Sequence, residues 1–92
     1  MNGLFVFRAD FCPHCRMMER AGVIDKLRAA KPDLDVTVED LSGGLTPLAE
    51  SLRVRTIPCF VLLDENGNVT KRTTGSKTLE QLVRFAGGDA GS

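Results

Sequence analysis

Two cysteines separated by two residues, in Cys12-Pro13-His14-Cys15, are the most reactive feature of the chain. Thiols at this spacing can close a disulfide across one helical turn, exchange it with another disulfide, or bind a soft metal ion. Exchange needs thiolate, and a free Cys with a pKa of about 8.5 is only about 3 % ionised at pH 7. A helix starting at Pro13 would set the Cys12 sulfur against unpaired N–H groups and the positive end of the helix dipole. His14 adds donors there, and a positive charge when protonated. A third cysteine, Cys59, directly follows Pro58. It is either a small buried residue opening a core strand or a third thiol near the pair, able to form an alternative disulfide. Zinc would need four ligands, and three cysteines with His14 are a stretch for one turn of geometry. No resident metal or cofactor is expected.

Composition narrows the remaining choices. The chain has 92 residues, 42 % of them hydrophobic, and its 12 basic and 12 acidic side chains cancel. That length gives one domain with a single shared core. Balanced charge and a pI near 6.6 exclude a general binder of nucleic acid or anionic membrane. Trp and Tyr are absent, so stacking on bases would rest on five Phe alone. No apolar run approaches the ~18 residues of a membrane span. Three cysteines are too few, and odd in number, for a disulfide-stapled scaffold. The apolar stretch Leu4–Phe7 is shorter than the roughly 7–15 residues of a signal-peptide core, so a cytoplasmic monomer is expected. Structural disulfides are uncommon there.

The elements that must hold these residues follow from periodicity. Leu4-Phe5-Val6-Phe7 is a continuous apolar run, as in a strand buried on both faces. Pro13 suits the first position of a helix running to about Lys31. Its apolar stripe is Met18, Ala21, Ile24 and Leu27, widened by Met17 and Val23, and Pro32 ends it. Leu34 to Glu39 alternates like a strand with one buried face. Thr46-Pro47 caps a short helix reaching about Leu52. Cys59–Leu63 and Val69–Thr74 are strands joined by the turn Asp64-Glu65-Asn66-Gly67-Asn68. Thr78 and Gln81 form a capping box before a last helix with Leu79, Leu82, Val83 and Ala86 on its apolar side. Residues 1–88 form the domain and 89–92 a flexible tail. The order β-α-β-α-β-β-α gives an α/β fold. A right-handed parallel crossover and an antiparallel hairpin build a four-stranded mixed sheet flanked by helices.

This order, with Cys12-Pro13-His14-Cys15 at a strand-to-helix junction and Thr56-Ile57-Pro58 opening the third strand, resembles the thioredoxin superfamily from Leu4 to about Ala86. The outline is that of a minimal, glutaredoxin-sized version without an extra N-terminal strand and helix. The resemblance implies a thioredoxin-like fold and a thiol–disulfide oxidoreductase acting on protein disulfides. Cys12 would be the exposed nucleophile and Cys15 the shielded resolving thiol. Pro13 and His14 look like the dipeptide of DsbA, a strong oxidant with a potential of about −120 mV, and would tune the pair in that direction. Pro58 resembles the family's cis-proline. With Phe11, Thr56 and Ile57 it would form the substrate face, the Ile57 backbone pairing with an extended peptide. A recycling reductase or glutathione would restore the dithiol.

Several positions depart from the family. Glutaredoxins place a basic residue three positions before the first cysteine to meet glutathione; here that position is Ala9, with Arg8 one place off. Gly75-Ser76-Lys77 replaces their Gly-Gly and acidic pair, which disfavours a glutathione-dependent enzyme. Thioredoxin's buried Asp corresponds to Val6, and Glu39, near the end of the second strand, is either a solvated strand-end carboxylate or a substitute for it. Arg16, Arg20, Arg53 and Arg55 are a solvated surface or a basic rim that steers an acidic partner. The competing reading from a different class is a non-catalytic binding module, a platform for peptide, metal or cluster.

Overall fold

The computed structural model describes residues 3–87. Its sheet has the order β2-β1-β3-β4. The strands are β1 (Gly3–Arg8), β2 (Asp35–Asp40), β3 (Cys59–Leu63) and β4 (Val69–Thr74). Central β1 runs parallel to β2, with Leu4 opposite Val36. It runs antiparallel to β3, with Leu4 opposite Leu62. The hairpin β3–β4 completes the expected mixed sheet.

Strand alternation divides the core in two. Leu4, Val6, Phe60 and Leu62 face one way, against Met18 of α1 (Pro13–Arg20), Val23 and Leu27 of α2 (Val23–Ala30), and Leu82 and Ala86 of α4 (Leu79–Gly87). Phe7, Cys59 and Val61 face the other way, with Ala49 of α3 (Pro47–Ser51), Leu41 and Val54. The first strand is therefore covered on both faces, as its unbroken apolar run implies.

Both predicted caps form. The Thr46 hydroxyl accepts from the Ala49 N–H at 3.1 Å. Thr78 and Gln81 bond reciprocally, at 2.9 and 3.1 Å. In the hairpin loop, one Asp64 carboxylate oxygen accepts from the N–H groups of Asn66 and Asn68, both at 2.9 Å. Gly67 supplies the positive φ of 84° there.

Two expectations fail for physical reasons. The helix predicted from Pro13 to Lys31 is two helices of eight residues each, because Gly22 turns left-handed at φ 67°. Glycine adopts that conformation without steric cost. The break resets the phase of the apolar stripe, so Ala21 is exposed, and Met17, also expected on the buried face, is 53 % exposed. Val38, which the alternation of β2 places inside, is 41 % exposed. It sits on the outermost strand beside Val6 and borders an open cavity. The tail at 89–92 lies outside the described residues.

Candidate active site

The chain leaves β1 and turns at once into α1, and this turn carries the pair. Cys12 is the N-cap residue in extended conformation, and Pro13 takes the first helical positions. The turn is closed by the Cys12 N–H bonding the Ala9 carbonyl at 3.2 Å. Inside it, the Cys15 N–H donates to the Cys12 sulfur at 3.2 Å. The Cys12 thiol donates in turn to the Ile57 carbonyl at 3.7 Å. The Ile57–Pro58 peptide bond is cis. Its loop is tied to the end of β4 by the Gly75 N–H, which donates to the Pro58 carbonyl at 2.9 Å. All three cysteines are free thiols.

The contrast expected between an exposed Cys12 and a shielded Cys15 is not there. Cys12 is 6 % exposed and Cys15 2 %. The two hydrogen bonds draw the first sulfur in between the helix start and the Ile57 carbonyl. His14, Pro13 and Thr56 are exposed around it, Ile57 is half-buried, and Phe11 is 71 % exposed. Phe11 and Ile57 line a cavity of about 260 Å³ with Leu45 and Arg55. Arg16, Arg20, Arg53 and Arg55 are all exposed, and none enters an ion pair among the described residues.

Burial pushes the Cys15 thiol up to about 12, helped by its bond to Cys12 and by the nearby charges of Cys12 and Glu19, and opposed by a backbone bond from Ala9. The unfolded thiol ionises near pH 8.5–9, roughly. A folded value raised above it means the contribution to stability is complete below that pH and is lost on going up towards 12. Reduced protein is therefore expected to lose stability as pH rises above about 9, with a smaller loss in Cys15→Ala. Urea midpoints measured from pH 8 to 11 check this, and identical pH slopes in both proteins would contradict it.

Cys59 is also pushed up by burial, with Arg72 opposing. It is fully buried in the core with Phe7, Val61 and Ala49. Cys15 instead borders a cavity with Val6 and Met18, on the other side of the sheet. Strand alternation turns the Cys59 side chain away from the pair although its backbone adjoins Pro58. Glu39 is set apart by the same alternation. It stands opposite Phe7 in register, whereas Val6 and Val38 share the side that Cys15 borders. One of its carboxylate oxygens is buried without a partner.

The carboxylate that shares a cavity wall with Cys15 is Glu19, four residues along α1, and its charge raises the Cys15 thiol less than burial does. Arg8 grips it with two hydrogen bonds, at 2.6 and 3.0 Å. The same guanidinium lies 2.8 Å from Asp10 and 3.0 Å from Asp40. Asp40 also accepts from the Ser42 N–H and hydroxyl, at 3.0 and 2.6 Å. Those two bonds, then Arg8, hold the Asp40 carboxyl below its ordinary range. Arg8, considered in the sequence only as a displaced glutathione contact, is thus occupied by three acids. The helical spacing of Cys15 and Glu19 is the sequence signal for this cluster.

The sequence matches the thioredoxin family over residues 2–87. The chain belongs to the thioredoxin family. Among solved structures it is similar to mitochondrial thioredoxin 3 of Saccharomyces cerevisiae in its oxidised form, at 25 % identity and a TM-score of 0.76, covering 91 % of this chain and 74 % of that one. A thioredoxin-2 from the malaria parasite, a component of its protein secretion machinery, superposes with a TM-score of 0.80 at 22 % identity, covering 92 % and 80 %. A second malarial protein covers 92 % of both chains at 21 % identity and a TM-score of 0.78. No curated protein matches the sequence. Membership of the thioredoxin family makes this a thiol redox protein by kind. Among the described residues, no helix is long and apolar enough to cross a membrane.

Proposed function

We propose that the protein is a thiol–disulfide oxidoreductase acting on protein disulfides through Cys12 and Cys15. The observation that carries this reading is the Cys15 N–H bonded to the Cys12 sulfur at the start of α1, beside the cis Ile57–Pro58 bond. That bond holds the two cysteines together across the first helical turn, as closing a disulfide between them requires. In the reaction the Cys12 thiolate attacks one sulfur of the partner disulfide, forming a mixed disulfide and releasing one partner thiolate. The Cys15 thiolate then attacks the Cys12 sulfur. The Cys12–Cys15 disulfide forms, the second partner thiolate leaves, and two electrons have passed from this protein to its partner. The thiolates released take up protons from solvent.

Phe11, Thr56 and Ile57 form the face that receives the partner, whose extended segment pairs with the Ile57 backbone, while Pro58 is fully buried beneath it and shapes the loop. His14 and Pro13 shift the pair towards the oxidising side of thioredoxin's potential of about −270 mV. In a cytoplasmic setting, the compartment expected from the sequence, a reductase or glutathione returns the pair to the dithiol. The assay is dithiothreitol-driven reduction of insulin, followed by turbidity. Catalytic amounts of the protein are expected to accelerate it. A rate equal to dithiothreitol alone would overturn this reading in favour of a binding module or a glutathione-dependent enzyme.

A further inference from the structure

A cavity of about 250 Å³ opens beside Cys15, and the exchange reaction as written makes no use of it. Its wall carries Cys15 and Glu19 of α1, Val6 and Arg8 of β1, and Val38 of β2. Gly22, where the helix breaks, lines it as well. A cavity this size has room for several waters at about 30 Å³ each, so it is the route by which a Cys15 proton can leave.

We propose that Glu19, pinned by Arg8 on this wall, is an electrostatic brake on the resolving step, disfavouring the Cys15 thiolate and so slowing its attack on the mixed disulfide. The inference rests on the exchange reaction proposed above. Glu19 does not touch the reacting sulfurs. It acts through the charge on Cys15, and Arg8 is the residue that positions it.

Three facts of geometry support the brake. A four-residue step on a helix puts Cys15 and Glu19 on one side, a turn apart. The two bonds from Arg8, at 2.6 and 3.0 Å, fix the carboxylate there instead of letting it swing into solvent. The guanidinium is shared with Asp10 and Asp40, so one positive charge faces three negative ones. The local balance is acidic. From α2, Asp25 and Arg28 also face the cavity, but they stand 3.7 Å from each other and their charges offset. The Cys15 thiol is raised mainly by burial, and the Glu19 charge acts in the same direction as the smallest of the causes.

In the resolving step the Cys15 thiol gives its proton to water in the cavity. The new thiolate attacks the Cys12 sulfur, the Cys12–Cys15 bond forms, and the partner sulfur leaves as thiolate. A brake on proton loss lengthens the life of the mixed disulfide. A second thiol on the partner then has time to compete with Cys15, which favours rearrangement of disulfides over simple reduction.

The test is stopped-flow reaction of the reduced full chain with 5,5′-dithiobis(2-nitrobenzoate) from pH 6 to 10. The first nitrothiobenzoate released reports attack by Cys12, and the second reports resolution by Cys15. Glu19→Gln keeps the shape and one hydrogen bond to Arg8 but removes the charge. Its second phase is expected to run about threefold faster across this pH range, because a lower pKa yields more thiolate but a weaker nucleophile, with the first phase changed less. Glu19→Asp keeps the charge and retains the slow second phase. A second phase unchanged by Glu19→Gln would overturn the brake. A slower one would also overturn it, and would make Glu19 a proton acceptor. Equal acceleration in Glu19→Asp would trace the effect to a loosened helix and overturn it too. A wild-type protein with a first phase and no second would refute the exchange reading itself, and the brake with it.

Discussion

Cys12→Ser is expected to bring insulin reduction down to the rate of dithiothreitol alone. A serine hydroxyl cannot form the mixed disulfide, and neither other thiol stands ready to replace it. Cys15 is 2 % exposed and held up to about 12. Cys59 is fully buried in the opposite core. Cys15→Ser should differ in kind, because Cys12 can still attack but nothing resolves the product. It is expected to accumulate a covalent complex with the partner, visible by mass spectrometry and cleared by added thiol. Cys59→Ser should keep turnover. Activity surviving in Cys12→Ser would assign the nucleophile elsewhere.

Phe60→Ala carries the largest expected cost in stability. Phe60 is fully buried two residues beyond the cis-proline, in the core that joins Leu4 and Leu62 to Leu82 of α4. Removing a buried Phe ring costs about 3–5 kcal/mol, against a typical total of about 5–15 for a domain. In a domain of this size that lowers Tm by roughly 12–40 °C. Phe11→Ala is the natural control. Its ring is 71 % exposed, so its loss should leave Tm almost unchanged while lowering kcat/KM for protein disulfides. Urea and thermal unfolding of the two variants compare them. A Phe60→Ala loss below about 1 kcal/mol would contradict the core described here.

What the sequence reveals of this molecule is mostly local. Pro13 at a helix start, Thr46-Pro47, the Thr78–Gln81 box and the Asp64–Asn68 turn are each decided by neighbours a few residues apart, and all form. The unbroken run Leu4–Phe7 likewise marks the central strand. The rest depends on relations that spacing along the chain does not express. Gly22 sits in a stretch whose apolar rhythm continues on both sides, so the break depends on one backbone angle. Arg8, Glu19 and Asp40 meet only after β1, α1 and β2 have packed. The sidedness of Glu39 and Cys59 follows from register, since a shift of one residue reverses the face. Burial of Cys12 depends on a carbonyl 45 residues away. The motif announces the chemistry, and the packed loops set how open it is.

The most direct test is a redox titration of the full chain in glutathione buffers, with thiols trapped by alkylation and mapped by mass. A single two-electron transition linking Cys12 to Cys15 is expected, with Cys59 remaining a free thiol throughout and a midpoint above about −270 mV. Absence of a Cys12–Cys15 disulfide across the range from about −320 to −120 mV, or oxidation that consumes Cys59 instead, would contradict it.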